Sequence, residues 1–510
     1  MPRARLAAET RTCFAEHLFA ILWTSAACCE SLLSTMLFDL QFSTTAFIVA
    51  CTRLTLVAGV SLHILQTKRN TSSAIGWIGI CILMPFIGTV LYLMFGINRV
   101  TRLAKKLVGD RIPYRQEGAD LSSWNRELDG QFAPLALMVG KLTTRPVVGN
   151  NSITCLHDGD CAYPHMLDAI EKATRSILLC SYIFRHDASG QLFADRLIAA
   201  HKRGVNVRVL VDGIGSGYFL SPIYRYLKRE GVPCARFMHS LLPWRMPFLN
   251  LRNHRKILVV DGAVGFMGGL NIADNNLVTR KPLHPVSDTH FKIEGPVVHQ
   301  LAQVAAWDWS FTTGEELNPD LFLKEHAGKG TSLARIVTAG PDTDLEKIEF
   351  TMLQAITLSR KSIRLMTPYF LPGARFLSEL GLAALRGVQV DIIIPLRSNH
   401  RPLDWACAAN ISPLLDTGVR VWHANPPFNH SKLMVVDKAW SFVGSSNLDI
   451  RSLRLNFEIN METYDVAMAE IIDDFICQHR NHRLTHYDLD KRNYLTRIRD
   501  SFARLFMPYL

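Results

Sequence analysis

The sequence predicts a duplicated α/β protein: two α/β sandwich lobes related by pseudo-two-fold symmetry, behind N-terminal transmembrane helices. Three observations predict it. Residues 74–97 run without a single charge, most of the remaining chain aligns with itself, and one short polar motif occurs once in each copy.

The composition sets the frame. At 510 residues, 48% hydrophobic and 20% charged, the chain has the make-up of a folded protein with room for two or three domains. The excess of 56 Lys and Arg over 45 Asp and Glu leaves a formal charge of +11, which favours an anionic partner, phospholipid or nucleic acid, without choosing between them. Eleven cysteines include no C-x-x-C pair, and several, such as Cys51, Cys81 and Cys180, sit in apolar runs. They read as buried thiols in a reduced compartment rather than as zinc ligands.

Residues 1–110 form the expected membrane region. At ~1.5 Å per residue, residues 74–97 reach about 36 Å, enough to cross a bilayer, and Pro85 within them is a kink that membrane helices tolerate. Residues 42–66 are apolar enough for another span, although Arg53 lies inside and a central arginine costs roughly 2.5–3.5 kcal/mol on insertion scales. The two would form a hairpin across residues 67–73. Residues 17–40, interrupted by Glu30 and Asp39, are a candidate extra segment, either a third span or, as the preferred reading, an interfacial or signal-like stretch. The distribution of Lys and Arg around these segments favours a multi-pass inner (cytoplasmic) membrane protein with its catalytic part on the cytoplasmic side.

The first lobe is expected over 111–335, the second over 336–487, and a basic amphipathic tail over 488–510. LDAIEKATRSILLCSYIF from Leu167 matches LQAITLSRKSIRLMTPYF from Leu353, and KRGVNVRVLVDG around Gly204 matches LRGVQVDIIIPL around Gly387, a long internal repeat. Each copy reads helix, strand, helix, strand and hairpin, with short β-branched runs between stretches of helical spacing. Two α/β lobes packed face to face follow.

Each copy then carries His-x-Lys and an aspartate: His254, Lys256 and Asp261 in HRKILVVD, and His430, Lys432 and Asp437 in HSKLMVVD. At matching distances GGLN ends at Asn271 and GSSN at Asn447. The six motif residues are the candidate catalytic set and the two asparagines the candidate substrate-binding pair. Residues two apart on a strand share a face, so each histidine projects beside its lysine. Asp261 and Asp437 stand at an odd offset, off that face or in the turn beyond, where a structural role suits them better than chemistry. Asp261-Gly262 is a turn signal, after which FMGGLN returns as the partner strand and carries Asn271 back towards His254. Gly268 and Gly269 would let a phosphate approach the main chain.

A lone strand histidine is usually an ordinary hydrogen-bonded residue. Repetition with Lys, Asp and Asn at fixed offsets is hard to explain by packing. No carboxylate or cysteine recurs at ligand spacing, so a metal site is not expected. Two lysines and two asparagines would instead bring positive charge and donors to a phosphoryl group. An imidazole with a reference pKa of about 6.5 serves near neutrality as nucleophile or proton donor, so one site can hold one of each. A carboxylate behind each ring would fix its tautomer, and Asp288 in SDTH and Glu458 in NFEIN, each following its own histidine, are the candidates.

These residues resemble the phospholipase D superfamily, whose paired H-x-K-x(4)-D motifs match at His254, Lys256, Asp261 and at His430, Lys432, Asp437. A finer similarity is to the bacterial cardiolipin synthase family, carried by RNHRK, GGLN and DTHFKIEGP in the first half and by HSKLMVVD, VGSSNLDIRS and LRLNFEIN in the second, behind a membrane hairpin ending in YLMFG. Some forty residues before the hairpin depart from that pattern.

The resemblance implies a duplicated phospholipase D-like fold and a phosphatidyl-transfer cycle with no nucleotide, metal or other cofactor. His254 would attack the phosphorus of phosphatidylglycerol and His430 protonate the departing glycerol; a second phosphatidylglycerol would then accept, giving cardiolipin. Lys256, Lys432, Asn271 and Asn447 would hold the phosphoryl oxygens. The expected partners are anionic phospholipid and the membrane, not nucleic acid. Hydrolysis by water, transfer to another alcohol, and phosphodiester cleavage in nucleic acid remain rival readings, the last disfavoured by the hairpin. A near-symmetric repeat does not say which histidine attacks.

Two further features bear on lipid access. Trp244, Arg245 and Phe248 precede the first motif, as in an interfacial loop or a packed one. Leu495, Ile498, Phe502 and Leu505 recur at helical spacing beside Arg497, Arg499 and Arg504, the pattern of a helix docked on the protein or on an anionic membrane surface, with docking on the protein the expectation.

Overall fold

The computed structural model describes residues 44–68, 71–96, 130–239, 251–324, 326–340 and 344–507. Segment 17–40 and the loop holding Trp244, Arg245 and Phe248 lie outside the described residues. Residues 1–99 and 100–510 form two compact units.

In the first unit, helix α1 (Thr44–Thr67) has 24 residues and is long and apolar enough to cross a membrane. The second expected span is not one straight rod. Helix α2 (Thr71–Leu83) ends at Met84, which leaves helical geometry at φ −133° and ψ 74°; helix α3 (Pro85–Leu91) follows, and a π-helical turn closes the run at Tyr92–Gly96. Pro85 has no N–H to donate and disfavours helical geometry in the residue before it, so the break falls there. The bend is tight: a Cβ on Gly88 would lie 2.7 Å from the Ile80 carbonyl oxygen. With 13 and 7 residues, neither piece alone is long enough to span. Tyr92 ties the turn back to α1 and α2, its hydroxyl 2.8 Å from His63 Nδ1 and its ring edge-on to Trp77.

The second unit is built on one 15-stranded sheet with two small strand pairs beside it. The first half supplies β1 (Val148–His157), β2 (Ser176–Ser181), β3 (Asn206–Asp212), β4 (Cys234–Phe237), β5 (Ile257–Val260), β6 (Val264–Gly268), β7 (Val286–Ser287) and β8 (Thr289–Glu294). The second supplies β9 (Ser332–Ala339), β10 (Ser362–Met366), β11 (Phe370–Leu371), β12 (Gln389–Pro395), β13 (Arg420–Ala424), β14 (Phe428–Asn429), β15 (Leu433–Val436), β16 (Trp440–Gly444), β17 (Leu448–Asp449), β18 (Glu458–Thr463) and β19 (His482–Arg483). Across the sheet the order is β4-β3-β2-β5-β6-β8-β1-β9-β18-β16-β15-β10-β12-β13-β19. Read outward from the β1–β9 seam, both directions give the same succession of seven equivalent strands, with β19 added at the outer edge of the second half, so the halves are related by pseudo-two-fold symmetry. The strands β2 and β12 pair in parallel with β3 and β10, and their apolar residues are buried, as interior parallel strands require.

The halves meet in two ways. They join edge to edge where Val148 pairs with Ala334 and Asn151 with Ser332. They also share one apolar core, to which the first half gives Ile257, Phe291 and Leu301 and the second Ile393, Val435 and Ile472. The first half keeps an outer core of its own, whereas that of the second half takes in Phe132, Leu135 and Val139 from ahead of β1, a segment expected in the first lobe. The lobe boundary expected at 335/336 falls inside β9, so the strand that opens the second half starts slightly earlier.

The C-terminal helix Tyr494–Leu505 lies along helix Arg401–Asn410. It docks through buried Ala503 and Asp500, the latter accepting from Arg492 and Arg499 at 2.7 Å each. Leu495, Ile498, Phe502 and Leu505, expected to pack on the protein, are exposed instead, because the docked face is the opposite one.

Candidate active site

Sequence periodicity places both histidines inside strands, but β5 and β15 begin only at Ile257 and Leu433, after each lysine. The main chain just before them pairs with the other half instead. The His254 N–H donates to the Phe457 carbonyl at 2.9 Å and the Phe457 N–H to the Arg252 carbonyl at 2.8 Å. At the symmetric position β7 and β14 pair in parallel, and the His430 N–H donates to the Ser287 carbonyl at 2.7 Å. Each histidine is thereby stitched to the residue preceding a carboxylate of the opposite lobe.

The side chains follow. His254 Nδ1 lies 2.9 Å from Glu458 Oε2, and His430 Nδ1 lies 2.7 Å from Asp288 Oδ2. The carboxylates expected behind the rings are there with their partners exchanged: each serves the histidine of the other half. Four groups donate to Glu458, since Ser445 Oγ (2.5 Å), Ser452 Oγ (2.6 Å) and Asn456 Nδ2 (3.1 Å) join the imidazole. Asp288 takes the Thr289 N–H at 2.8 Å besides His430. The imidazole centroids are 6.5 Å apart with the planes nearly perpendicular.

Burial governs the charges. It would raise both carboxyls, yet the lysines and the imidazoles that face them outweigh it: Lys432 and His430 hold Asp288, and His254 and Lys256 hold Glu458, below the usual carboxylate range. Burial lowers His254 although Glu458 opposes the shift, and burial together with the Lys432 ammonium brings His430 down to about 3. Both rings are therefore neutral near pH 7, with Nδ1–H given to a carboxylate and Nε2 left as the basic atom. Lys432 Nζ also lies 2.8 Å from His430 Nδ1, but a nitrogen that donates its proton to Asp288 has no lone pair to accept, so the hydrogen bond of Lys432 is the one to the His430 carbonyl. Lys256 donates to the His254 carbonyl at 2.6 Å and sits 5.1 Å over the Tyr182 ring. Burial brings the two lysines down to about 7 and about 8, respectively, for Lys256 and Lys432.

Asp261 and Asp437 stand apart from this group, so placing them among the catalytic residues is corrected. Each sits in the turn after its strand with φ 54°. The Asp261 carboxylate accepts the N–H groups of Thr174, Arg175 and Ser176, and Asp437 accepts those of Arg360, Lys361 and Ser362. They tie the turn to the entry of β2 and β10. Gly269 also has a different use from the one expected. A Cβ there would lie 2.1 Å from Asp288 Oδ1, so the room goes to the carboxylate and not to a phosphate.

Both histidines, Asn271 and Asn447 line a cavity of about 560 Å³ fed by both halves. Asn271 Oδ1 accepts from the Ile183 N–H at 3.2 Å. The lysines are buried behind the wall and donate to the chain itself. Several lining residues escaped the sequence reading. Tyr182 stands edge-on to His254 with centroids 4.8 Å apart, Tyr369 edge-on to His430 at 6.1 Å, and Arg252 and Arg451 complete the wall. The tyrosines sit one position apart in the aligned segments, Tyr182 in SYIF opposite Pro368 and Tyr369 in TPYF opposite Ile183, so the repeat does not mark them as a pair. Asp449, raised to about 6 by burial, also lines the cavity. Beneath His254, Arg255 forms a fully buried ion pair with Asp308, and removing either partner of such a pair costs about 3–5 kcal/mol.

The fold and the paired, carboxylate-backed imidazoles define a phospholipase D-type phosphotransferase. The family model "Cardiolipin synthase, PLD-like domain" matches residues 166–309 and 352–479, and "Phospholipase_D-nuclease N-terminal" matches 56–96. The chain belongs to the cardiolipin synthase family. It is 33% identical over 460 residues to the cardiolipin synthase of Alkalihalophilus pseudofirmus, covering 88% of this chain and 92% of that one. To the major cardiolipin synthase of Bacillus subtilis it is 31% identical over 464 residues, covering 88% and 95%. Among solved structures, phosphatidylserine synthase of Haemophilus influenzae superposes with a TM-score of 0.55 at 14% identity, covering 73% of this chain and all of that one, a likeness of fold alone. The chemistry of the family is phosphatidyl transfer between phospholipids.

Proposed function

We propose that this enzyme joins two phosphatidylglycerol molecules into cardiolipin and releases glycerol, through a phosphatidyl group held on one histidine. His254 Nε2 attacks phosphorus, the bond from phosphorus to the glycerol oxygen breaks, and His430 as imidazolium gives that oxygen its proton. The terminal hydroxyl of a second phosphatidylglycerol then gives its proton to His430 and attacks phosphorus, and the phosphorus–nitrogen bond breaks. His430 is neutral until substrate binds; the entering phosphodiester and Asp288 flank it with negative charge and stabilise the proton it takes up. The Asn271 and Asn447 amides donate to the phosphoryl oxygens, and the buried Lys256 and Lys432 cations balance their charge from behind the wall. Residues 1–99 hold the enzyme as a multi-pass protein of the inner membrane with the catalytic unit on the cytoplasmic side, a reading supported by the Lys and Arg distribution.

The observation that carries the reaction is the meeting of two imidazoles, one from each half, at 6.5 Å on one cavity, each with Nδ1 tied to a carboxylate. Purified full-length protein in mixed micelles of phosphatidylglycerol is expected to release glycerol and cardiolipin in equal amounts. His254→Ala and His430→Ala each lower that rate by at least about 1,000-fold. Phosphatidic acid as the sole lipid product would make water the acceptor and the enzyme a hydrolase.

A further inference from the structure

The C-terminal helix Tyr494–Leu505 is apolar on the wrong side for a helix that stabilises a soluble domain. At about 100° per residue, Tyr494, Leu495, Ile498, Phe502 and Leu505 fall within one arc of about 100°. All five are 47–76% exposed. The opposite face is the one docked on helix Arg401–Asn410, where Ala503 joins an apolar cluster with Ala406 and Cys407 and Asp500 makes a polar contact. Asp500 is bound by Arg492 and Arg499, the Arg499 guanidinium also stacks 4.3 Å over the Trp405 ring, and Arg504 reaches the Ala409 carbonyl at 3.4 Å.

An exposed stripe of this kind is costly in water and marks a binding face. Its flanks say what covers it. Arg497, exposed and without an ion-pair partner among the described residues, borders the stripe on one side, while Arg504 and Arg499 at its edges are held to the catalytic unit by the contacts above. Exposed Arg483 lies ahead of the helix, as does Lys491, which pairs with Asp488 at 2.9 Å. Cations beside an apolar strip, with long stems that reach upward to phosphate, match the boundary between acyl chains and headgroups of an anionic bilayer. A second protein surface would have to offer a matching apolar groove ringed by carboxylates.

We propose that this helix lies flat in the surface of an anionic membrane, its apolar face among the acyl chains, as a second point of attachment beside α1. Twelve residues give about 18 Å of helix along the bilayer plane. Because the helix is fixed to the catalytic unit by Asp500 and its arginines, docking it orients that unit against the lipid surface. The inference stands on the exposed face and its flanking charges and does not require the histidine roles assigned above.

The test uses full-length protein in vesicles of phosphatidylglycerol and phosphatidylcholine, with a benzophenone amino acid in place of Phe502 and, separately, of Ile498. Irradiation is expected to add one phospholipid mass to the chain at both positions. Crosslinking to a second copy of the chain, or no adduct above the unirradiated sample, would overturn the proposal. As a second readout, Ile498→Asp with Phe502→Asp should raise the KM in mole fraction of phosphatidylglycerol by about tenfold while kcat stays within about twofold. An unchanged KM would count against it. The lipid adduct does not depend on turnover, so its presence with a different lipid product would reject the phosphatidylglycerol reaction and leave the docking intact.

Discussion

In the first half the carboxylate that backs a histidine is an aspartate; in the second it is a glutamate, one methylene longer. The neighbourhoods differ to match. Asp288 sits so close to the main chain that its carboxyl fills the space of a side chain at 269, which only glycine leaves open. Glu458 extends past the equivalent position, where Ser445 stands and donates to it, with Ser452 and Asn456 completing its shell. The middle residue of each motif differs as well. Arg255 makes a buried ion pair with Asp308, whereas Ser431 shares a 2.8 Å hydrogen bond with Thr289. Two duplicated halves thus reach one result, Nδ1 bound and Nε2 left basic, through space in one case and through donors in the other. The exchange of carboxylates between lobes also makes neither half a complete site by itself.

The largest effect is expected from removing charge without changing shape. Asp288→Asn and Glu458→Gln leave a hydrogen-bonding group behind each ring but favour the wrong tautomer, and kcat should fall about 1,000- to 10,000-fold for each. Asp288→Asn is expected to cost more, because Lys432 then faces His430 uncompensated. Steady-state rates on samples with matched thermal melting check both, and an equal effect of under tenfold would remove the carboxylates from the account. A smaller effect separates the two solutions. Gly269→Ala forces Asp288 aside and should lower kcat by about 100-fold, whereas Ser445→Ala leaves three donors on Glu458 and should cost about tenfold or less. Reversal of that order would contradict the packing described here.

The third expectation concerns pH. Lys256 and Lys432 balance phosphoryl charge only as cations, and burial lowers them to about 7 and about 8. Their charge is present below those values and lost as pH rises through them, so kcat/KM should decline on its alkaline side between pH 7 and 8 and not near the usual lysine value. Lys256→Arg keeps its charge throughout and should move that limb upward. A profile flat to pH 9 would remove the lysine charges from the rate-determining complex.

Much of this was legible because the repeat preserves spacing. Both histidines, both lysines and both asparagines are named by motif offsets, the two carboxylates follow their histidines at unequal distances in strand-like runs, and the β-strand runs and helices between them follow from periodicity. The pairing was not legible: nothing in the order of His430 and Glu458 along the chain says that Glu458 turns away to His254, since that depends on a contact between residues 204 apart. Asp261 and Asp437 belong to the motif by spacing yet serve the loop before β2 and β10, because a carboxylate beyond the strand meets main-chain N–H groups before it can reach the site. Tyr182 and Tyr369 are not legible as a pair, because they stand one position out of register in the repeat. In the first unit the kink expected at Pro85 in the uncharged run 74–97 is present as a full break at Met84 that separates two short helices. At the C terminus the apolar spacing was read correctly as a helix, but periodicity does not say which side of an amphipathic helix faces the protein.

The account rests most directly on a covalent intermediate on one histidine of a site built by both halves. Phosphatidylglycerol labelled at phosphorus, mixed with enzyme for one turnover and stopped in alkali to preserve a phosphoramidate bond, should leave label on His254 alone, with none on His254→Ala protein. Label on His430, on both histidines, or on neither would contradict it.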